Sequence, residues 1–207
     1  METDRKWIVV RIDGKLAGIS RDYGRLADIS SRIAKECGLL EMGTSRKQVR
    51  KRASPQGESL PYGEVTAKTV SFEEVAALKK TTRWEDMLLF GTDFQKQVWK
   101  KLWDLGSAGR LLSYSDFAEL CGNKAGVRAV AHAIGLNPLP VVIPCHLVVP
   151  KEAIDRIRSI QQKAESTIFK GEDLCHASIL NDNAIDFGEY ALGKDLKRRL
   201  ISLDMAD

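Results

Sequence analysis

Val141-Val142-Ile143-Pro144-Cys145-His146-Leu147-Val148-Val149 is the stretch on which the reading of this chain turns. A short apolar run ends in proline, sets a thiol beside an imidazole, and becomes apolar again. The run is too short for a membrane span and reads as a buried extended segment. Pro144 lacks a backbone donor and fixes φ, so regular pairing is expected to stop there and the next side chain to be held stiffly. Four of the six prolines (Pro138, Pro140, Pro144 and Pro150) fall in or beside the stretch. On the dipeptide alone, the plainer reading of Cys145 is a small buried hydrophobe. A reactive reading needs a base, because a free thiol with a pKa of about 8.5 is only a few per cent thiolate at neutral pH. An imidazole oriented by a carboxylate supplies one. The candidates are His132, His146 and His176. Cys175-His176 repeats the dipeptide in polar surroundings without the proline, and reads as incidental.

Upstream, Thr92-Asp93-Phe94-Gln95 has the spacing of a capping box. Phe94, Val98 and Leu102 then recur at i+4, widened by Trp99 and Trp103, which predicts a packed helix. A second helix is expected from Ser113, capped by Ser113 or Ser115, through Phe117, Ala118 and Leu120. Gly122-Asn123-Lys124 breaks it, and a third helix runs from Ala125 to Ile134 with Gly135 as its stop. This is a helix-turn-helix pattern, one that many small helical pairs share. Val127, Val130 and Ile134 are expected to face the core. Arg128 is then left outward among the small residues Ala125, Gly126, Ala129 and Ala133, where the helix can approach another surface closely.

Toward the N-terminus, Trp7 to Ser20 reads as a hairpin turning at Asp13-Gly14. Ser30 to Cys37 reads as a short helix with Ser30 as N-cap and Gly38 as stop. The basic run Arg46-Lys47-Gln48-Val49-Arg50-Lys51-Arg52 reads as a solvated loop, a nucleic-acid patch or an import signal. Beyond the central stretch, Lys151 to Glu165 is amphipathic through Ile154, Ile157, Ile160 and Ala164, and Gly171 to Ile185 is irregular. A closing helix is expected from Lys194 to Leu203, burying Leu196 and Leu200.

The chain has 207 residues, enough for one large domain or two small ones. Its 43% hydrophobic and 29% charged content is that of an ordinary globular protein. A net charge of +4 is compatible with nucleic acid without pointing to it. Cys37, Cys121, Cys145 and Cys175 are widely spaced, which argues against a structural zinc site and for a reducing compartment. Met1 to Lys6 is charged, so no secretion leader is expected, and no stretch approaches the roughly 20 apolar residues of a membrane helix.

Ile143-Pro144-Cys145-His146-Leu147-Val148-Val149 resembles the active-site signature of the O6-alkylguanine-DNA alkyltransferases, the methylated-DNA–protein-cysteine methyltransferases. The neighbouring motifs follow in order. Gly91 to Trp99 resembles the family's opening helix, and Ser113-Tyr114 its serine-tyrosine step. Arg128 to Ala133 followed by Asn137 resembles its recognition helix and asparagine hinge, and Gly188-Glu189-Tyr190 with Lys197 to Asp204 its closing loop and helix. The resemblance implies an α/β chain, with a small N-terminal α/β domain over residues 1–90. A mostly helical, winged-helix-like domain carrying the helix-turn-helix follows over 91–207, with an insertion around 151–186.

It further implies single-turnover repair of O6-alkylguanine and O4-alkylthymine in double-stranded DNA, bound through the minor groove. Cys145 would accept the alkyl group, His146 would relay a proton with Asp204 behind it, and Tyr114 would hydrogen-bond the purine. Tyr114, Ser115, Lys124, Arg128 and Ala129 would contact DNA, with Arg128 filling the gap left by the flipped base. Val148, Tyr190 and Ala191 would hold the base, and Asn137 would fix the turn. No cofactor, metal or membrane is implied. A monomer is expected, in the cytoplasm of a bacterium or archaeon or the nucleus of a eukaryote.

This chain departs from the family at Leu147, where arginine is usual, and at Asp204, where glutamate is usual. It departs again at Ala191, where some members have serine, and in the length of 151–186. A lesion binder or helix-turn-helix regulator without transfer activity is the competing reading, and a cysteine hydrolase a more distant one.

Overall fold

The computed structural model describes residues 6–21, 23–36, 64–165, 179 and 182–206. The chain packs as two units, Met1–Lys96 with Pro138–Val142, and Gln97–Asn137 with Ile143–Asp207. No helix among the described residues is long and apolar enough to cross a membrane.

The first unit is built on the expected hairpin. Strand β1 (Trp7–Ile12) and strand β2 (Lys15–Ser20) are joined through Asp13 at φ 50° and Gly14 at φ 76°. Two successive positive-φ residues make the tight turn whose twist matches its strands, which is why an Asp-Gly pair sits there. Strand β3 (Val65–Val70) pairs antiparallel on the other side of β1, giving the order β2-β1-β3.

Helix α1 covers Tyr23–Glu36, so Ser30 lies inside it and is not the N-cap. Ile29 is buried and would lie 3.3 Å from a Cβ on Gly18, so the missing side chain of β2 lets the helix bed against the sheet. The expected stop at Gly38, the basic run from Arg46 to Arg52, and Cys37, Cys175 and His176 all lie outside the described residues. Helix α2 (Phe72–Thr81) opens on a capping box between Ser71 and Glu74. Ile12, Ala17 and Phe90 form a core cluster of this unit.

Helix α3 (Asp93–Ala108) starts at the expected box: the Thr92 N–H donates to Gln95 Oε1 at 3.0 Å, and the Gln95 N–H to Thr92 Oγ1 at 3.3 Å. In the second unit it buries Val98, Trp99, Leu102 and Leu105. A two-residue strand β4 (Leu112–Ser113) leads into helix α4 (Tyr114–Leu120). Ser113 is the cap, accepting the Asp116 N–H at 3.1 Å, and Ser115 falls in the first turn. Gly122, at φ 72°, turns the chain through a single 3-10 turn into helix α5 (Val127–Gly135).

Val130 and Ile134 are buried as expected, but so is Ala133, which does not face outward. The Trp99 indole donates to the Ala133 carbonyl at 2.9 Å, so α3 and α5 touch at that point. Helix α6 (Lys151–Glu165) and helix α7 (Lys194–Ala206) complete the unit. α6 buries Ala153 and Ile157, and α7 buries Leu196, Leu200 and Ile201. The fold class is thus an α/β unit with a small sheet plus a mostly helical unit containing a helix-turn-helix pair.

The central stretch is buried from Leu139 to Val149 but is not extended throughout. Val141 stands at φ 77°, a conformation a β-branched residue rarely adopts. Pro144, at φ −81° and ψ 63°, is the centre of an inverse γ-turn closed by the Cys145 N–H on the Ile143 carbonyl at 2.8 Å. One 3-10 turn (Cys145–Leu147) follows, and strand β5 (Val148–Val149) pairs in parallel with β4. With a proline every amide donor cannot join a ladder, so the backbone satisfies itself locally in tight turns.

A Cβ on Gly106 of α3 would lie 2.7 Å from Pro144 Cγ. The ring is tied to the backbone and cannot swing away, so Gly106→Ala is expected to destabilise the protein by about 1–3 kcal/mol. Urea unfolding measures this, and a change under about 0.5 kcal/mol would show the contact to be soft.

Candidate active site

Cys145 enters the site on the 3-10 turn that follows Pro144, and it is a buried thiol outside any disulfide. Asn137, itself fully buried, reaches across from the residue just past α5. Its Nδ2 donates to the Ile143 carbonyl at 2.8 Å and lies 3.1 Å from Cys145 Sγ. One amide thus ties the turn shut and points a donor at the sulfur.

His146 is completely buried on the same turn. Its Nε2 is 2.9 Å from Oδ2 of Asp204, which α7 brings from the far end of the chain. The Asp204 side chain is only 10% exposed, so the pair is shielded from competing water. A carboxylate at Nε2 fixes a proton on that nitrogen and leaves Nδ1 as the ring atom that can accept one. Leu147, where the resemblance would place arginine, is 1% exposed and packs as hydrocarbon.

Three further groups gather around this turn. Lys197 of α7 is completely buried and donates its ammonium to the Val148 carbonyl at 2.9 Å. It lies 5.8 Å from the Tyr114 ring centre. Burial pushes its pKa down to about 8, against the opposing pull of Cys145, Asp186 and Glu189. Tyr114, in the first turn of α4, is held above the usual phenol value by burial and then by Cys145 and Glu189. It therefore stays a protonated donor at neutral pH. Tyr190 meets the His146 ring edge-on, with centroids 6.4 Å apart.

Cys145, His146, Asp204, Asn137, Tyr114, Val148 and Tyr190 therefore converge. Ala191 is exposed at the end of the Tyr190 loop. Ser115, Lys124, Arg128 and Ala129 do not join the cluster; they lie on the exposed side of α4, α5 and the turn between them. Lys124 pairs there with Glu119 at 3.0 Å, an exposed ion pair worth little that would yield readily to a phosphate. Among the described residues no group of three or more His, Cys, Asp and Glu side chains is placed to hold a metal ion.

Sequence reasoning missed Lys197, which is flanked by Leu196 and Arg198 and reads as a solvated lysine. The signal that could have found it is its place one helical turn from Leu200 and Ile201, on the buried stripe of α7.

Residues 93–166 match the family model described as 6-O-methylguanine DNA methyltransferase, DNA binding domain. A probable methylated-DNA–protein-cysteine methyltransferase of Acanthamoeba polyphaga mimivirus is 47% identical over 66 residues, which is 32% of this chain and 44% of that one. The methylated-DNA–protein-cysteine methyltransferase of Saccharomyces cerevisiae is 41% identical over 61 residues, 30% of this chain and 32% of the relative. The matched region therefore spans less than half the length of either relative. Among solved structures, the O6-methylguanine-DNA methyltransferase of Pyrococcus kodakaraensis aligns over 97% of this chain and 93% of its own. That alignment has 23% identity and a TM-score of 0.48. The ordered motifs and the sequence match from residue 93 onward agree: over that region the chain is similar to the O6-alkylguanine-DNA alkyltransferases.

Proposed function

We propose that the protein repairs DNA by moving the alkyl group from O6 of guanine, and from O4 of thymine, onto Cys145, once per molecule. The observation that carries this reading is the buried Cys145 sulfur, with an amide donor at 3.1 Å, followed in the chain by a buried histidine that is paired with Asp204.

The chemistry balances. Cys145 gives its proton to His146, whose charge Asp204 offsets. The sulfur attacks the alkyl carbon, an S–C bond forms and the C–O6 bond breaks, leaving its electron pair on the purine. Tyr114, kept protonated by burial, hydrogen-bonds the purine ring and stabilises that charge. The product is a thioether, whose S–C bond water does not hydrolyse at neutral pH, so no second turnover follows.

A base alkylated at O6 is out of reach within a duplex and must be everted, which costs a few kcal/mol. The exposed side of the helix pair suits that task. Ala129 leaves room for a groove wall, Arg128 can occupy the vacated stack, and Lys124 and Ser115 can meet phosphates. The minor groove is the surface such a slim helix fits. Val148, Tyr190 and Ala191 would then hold the everted base. The working form would be a monomer acting wherever the genome is, in the cytoplasm of a bacterium or archaeon or in a eukaryotic nucleus.

Incubation with a duplex carrying O6-methylguanine is expected to add one methyl group to the peptide containing Cys145, read by mass spectrometry. Folded protein that stays unmodified overturns the reading; if it still binds the lesion, it is the binder and not the transferase.

A further inference from the structure

Helix α6 follows directly on the reactive turn, and its surroundings show what it is anchored to. Ala153 and Ile157 share one buried cluster with Val149 of β5, with Ile185 and Phe187 ahead of Tyr190, and with Ile201 of α7. The helix is thus packed against the reactive segment, the base loop and the helix that carries Asp204 and Lys197.

Polar contacts lock the same three parts. Asp182 accepts from Arg156 Nε of α6 at 2.8 Å and from the Ala184 N–H at 2.9 Å. From α7, Arg198 donates to the carbonyls of Asp182 at 3.3 Å and Ile185 at 2.6 Å, and its guanidinium lies 4.8 Å from the Phe187 ring centre. A planar fork that meets two carbonyls and stacks on a ring holds its partners in one geometry, which a lysine cannot reproduce. Lys197 and Arg198 are neighbours on α7, one turned toward the reactive turn and the next toward the loop. The loop has little slack. Gly188 is at φ 82°, and a Cβ there would lie 2.9 Å from Pro150.

We propose that Arg198 is a positioning residue. With Asp182 and α6 it fixes the loop from Ile185 to Ala191, and thereby sets how tightly the site grips a purine that Arg198 itself does not touch. This rests on the alkyltransferase reading of Cys145.

The test uses the full chain as wild type, Arg198→Ala, Arg198→Lys and Asp182→Asn. Arg158→Ala serves as a control from the exposed side of α6. Transfer from the free base O6-benzylguanine is followed for its saturating rate and half-saturating concentration. Alkylation of Cys145 by iodoacetamide is measured alongside by peptide mass.

In Arg198→Ala the half-saturating concentration is expected to rise by about tenfold to a hundredfold. The saturating rate and the iodoacetamide rate should hold near wild type. Arg198→Lys should recover only part of the loss, and Arg158→Ala should show none. If Arg198→Ala fails to fold, Asp182→Asn carries the test, with a smaller rise in the same direction. An unchanged half-saturating concentration overturns the proposal. So does a loss shared equally by saturating rate and iodoacetamide reactivity, which would mark a purely structural role. A wild type inert to the free base and to methylated duplex alike, with Cys145 still open to iodoacetamide, instead overturns the alkyltransferase reading on which this one rests.

Discussion

Asp204→Asn is expected to slow alkyl transfer by about 10²- to 10⁴-fold while leaving the fold in place. The carboxylate 2.9 Å from His146 Nε2 has two tasks. It holds the proton on that nitrogen, so that Nδ1 can accept, and it offsets the positive charge when the ring takes the thiol proton. An amide of the same shape does neither dependably, because its N–H can donate to Nε2 and put the ring in the opposite tautomer. Burial magnifies the loss, since an imidazolium without its carboxylate has no solvent to turn to. Single-turnover transfer from methylated duplex gives the rate, and the circular dichroism melt checks the fold. A slowing of less than about fivefold would mean that the histidine needs no partner, or that the thiolate forms without it. Asp204→Glu is the informative companion, because it restores the residue usual in the family.

Lys197→Met is expected to make the protein more stable and less active. A buried ammonium costs energy that its hydrogen bond to the Val148 carbonyl offsets only in part, and burial has driven its pKa down to about 8. Between that value and the ordinary lysine value of about 10.4, the unfolded chain binds a proton that the folded chain does not. Wild-type stability from this group therefore rises with pH across the window. Below pH 8 both states are protonated and the full penalty, at most about 3 kcal/mol, is present. Methionine removes the penalty but leaves a carbonyl unpaired, so the net gain at pH 7 should be about 1–2 kcal/mol. That gain should shrink steadily toward pH 10.5 in urea titrations. Transfer should slow by about ten- to a hundredfold, because the site loses the cation nearest its developing anions. A variant less stable than wild type at pH 7, or one of equal activity, would contradict this account.

The parts of the fold legible in the sequence are those set by neighbours along the chain. Asp13-Gly14 dictated its hairpin, Thr92 and Gln95 their capping box, and Gly122 the break between the paired helices, because each acts over a few residues. The motif order around Cys145 brought Asp204, Asn137 and Tyr114 into the candidate site by resemblance, and their positions in the structure are close together. The positions misread were decided at long range. Ser30 looked like a cap because nothing beside it in the sequence marks the helix as already begun at Tyr23. Ala133 looked outward because the Trp99 indole that covers it comes from another helix. Pro144 announced an interruption, but neither the γ-turn nor the positive φ of Val141 has a signal in the neighbouring residues. Lys197 and Arg198 drew no reading of their own from the sequence, and only the packing of α7 shows that one meets the Val148 carbonyl and the other those of Asp182 and Ile185.

The shared burial of α6 with Val149, Phe187 and Ile201 also bears on what could be cut from this chain. A helix that merely bulged outward could be trimmed at little cost. This one is seated against the reactive strand and α7, and trimming it would leave greasy side chains facing water. A transplant into another protein would succeed only if Arg198 and its apolar neighbours travelled with it.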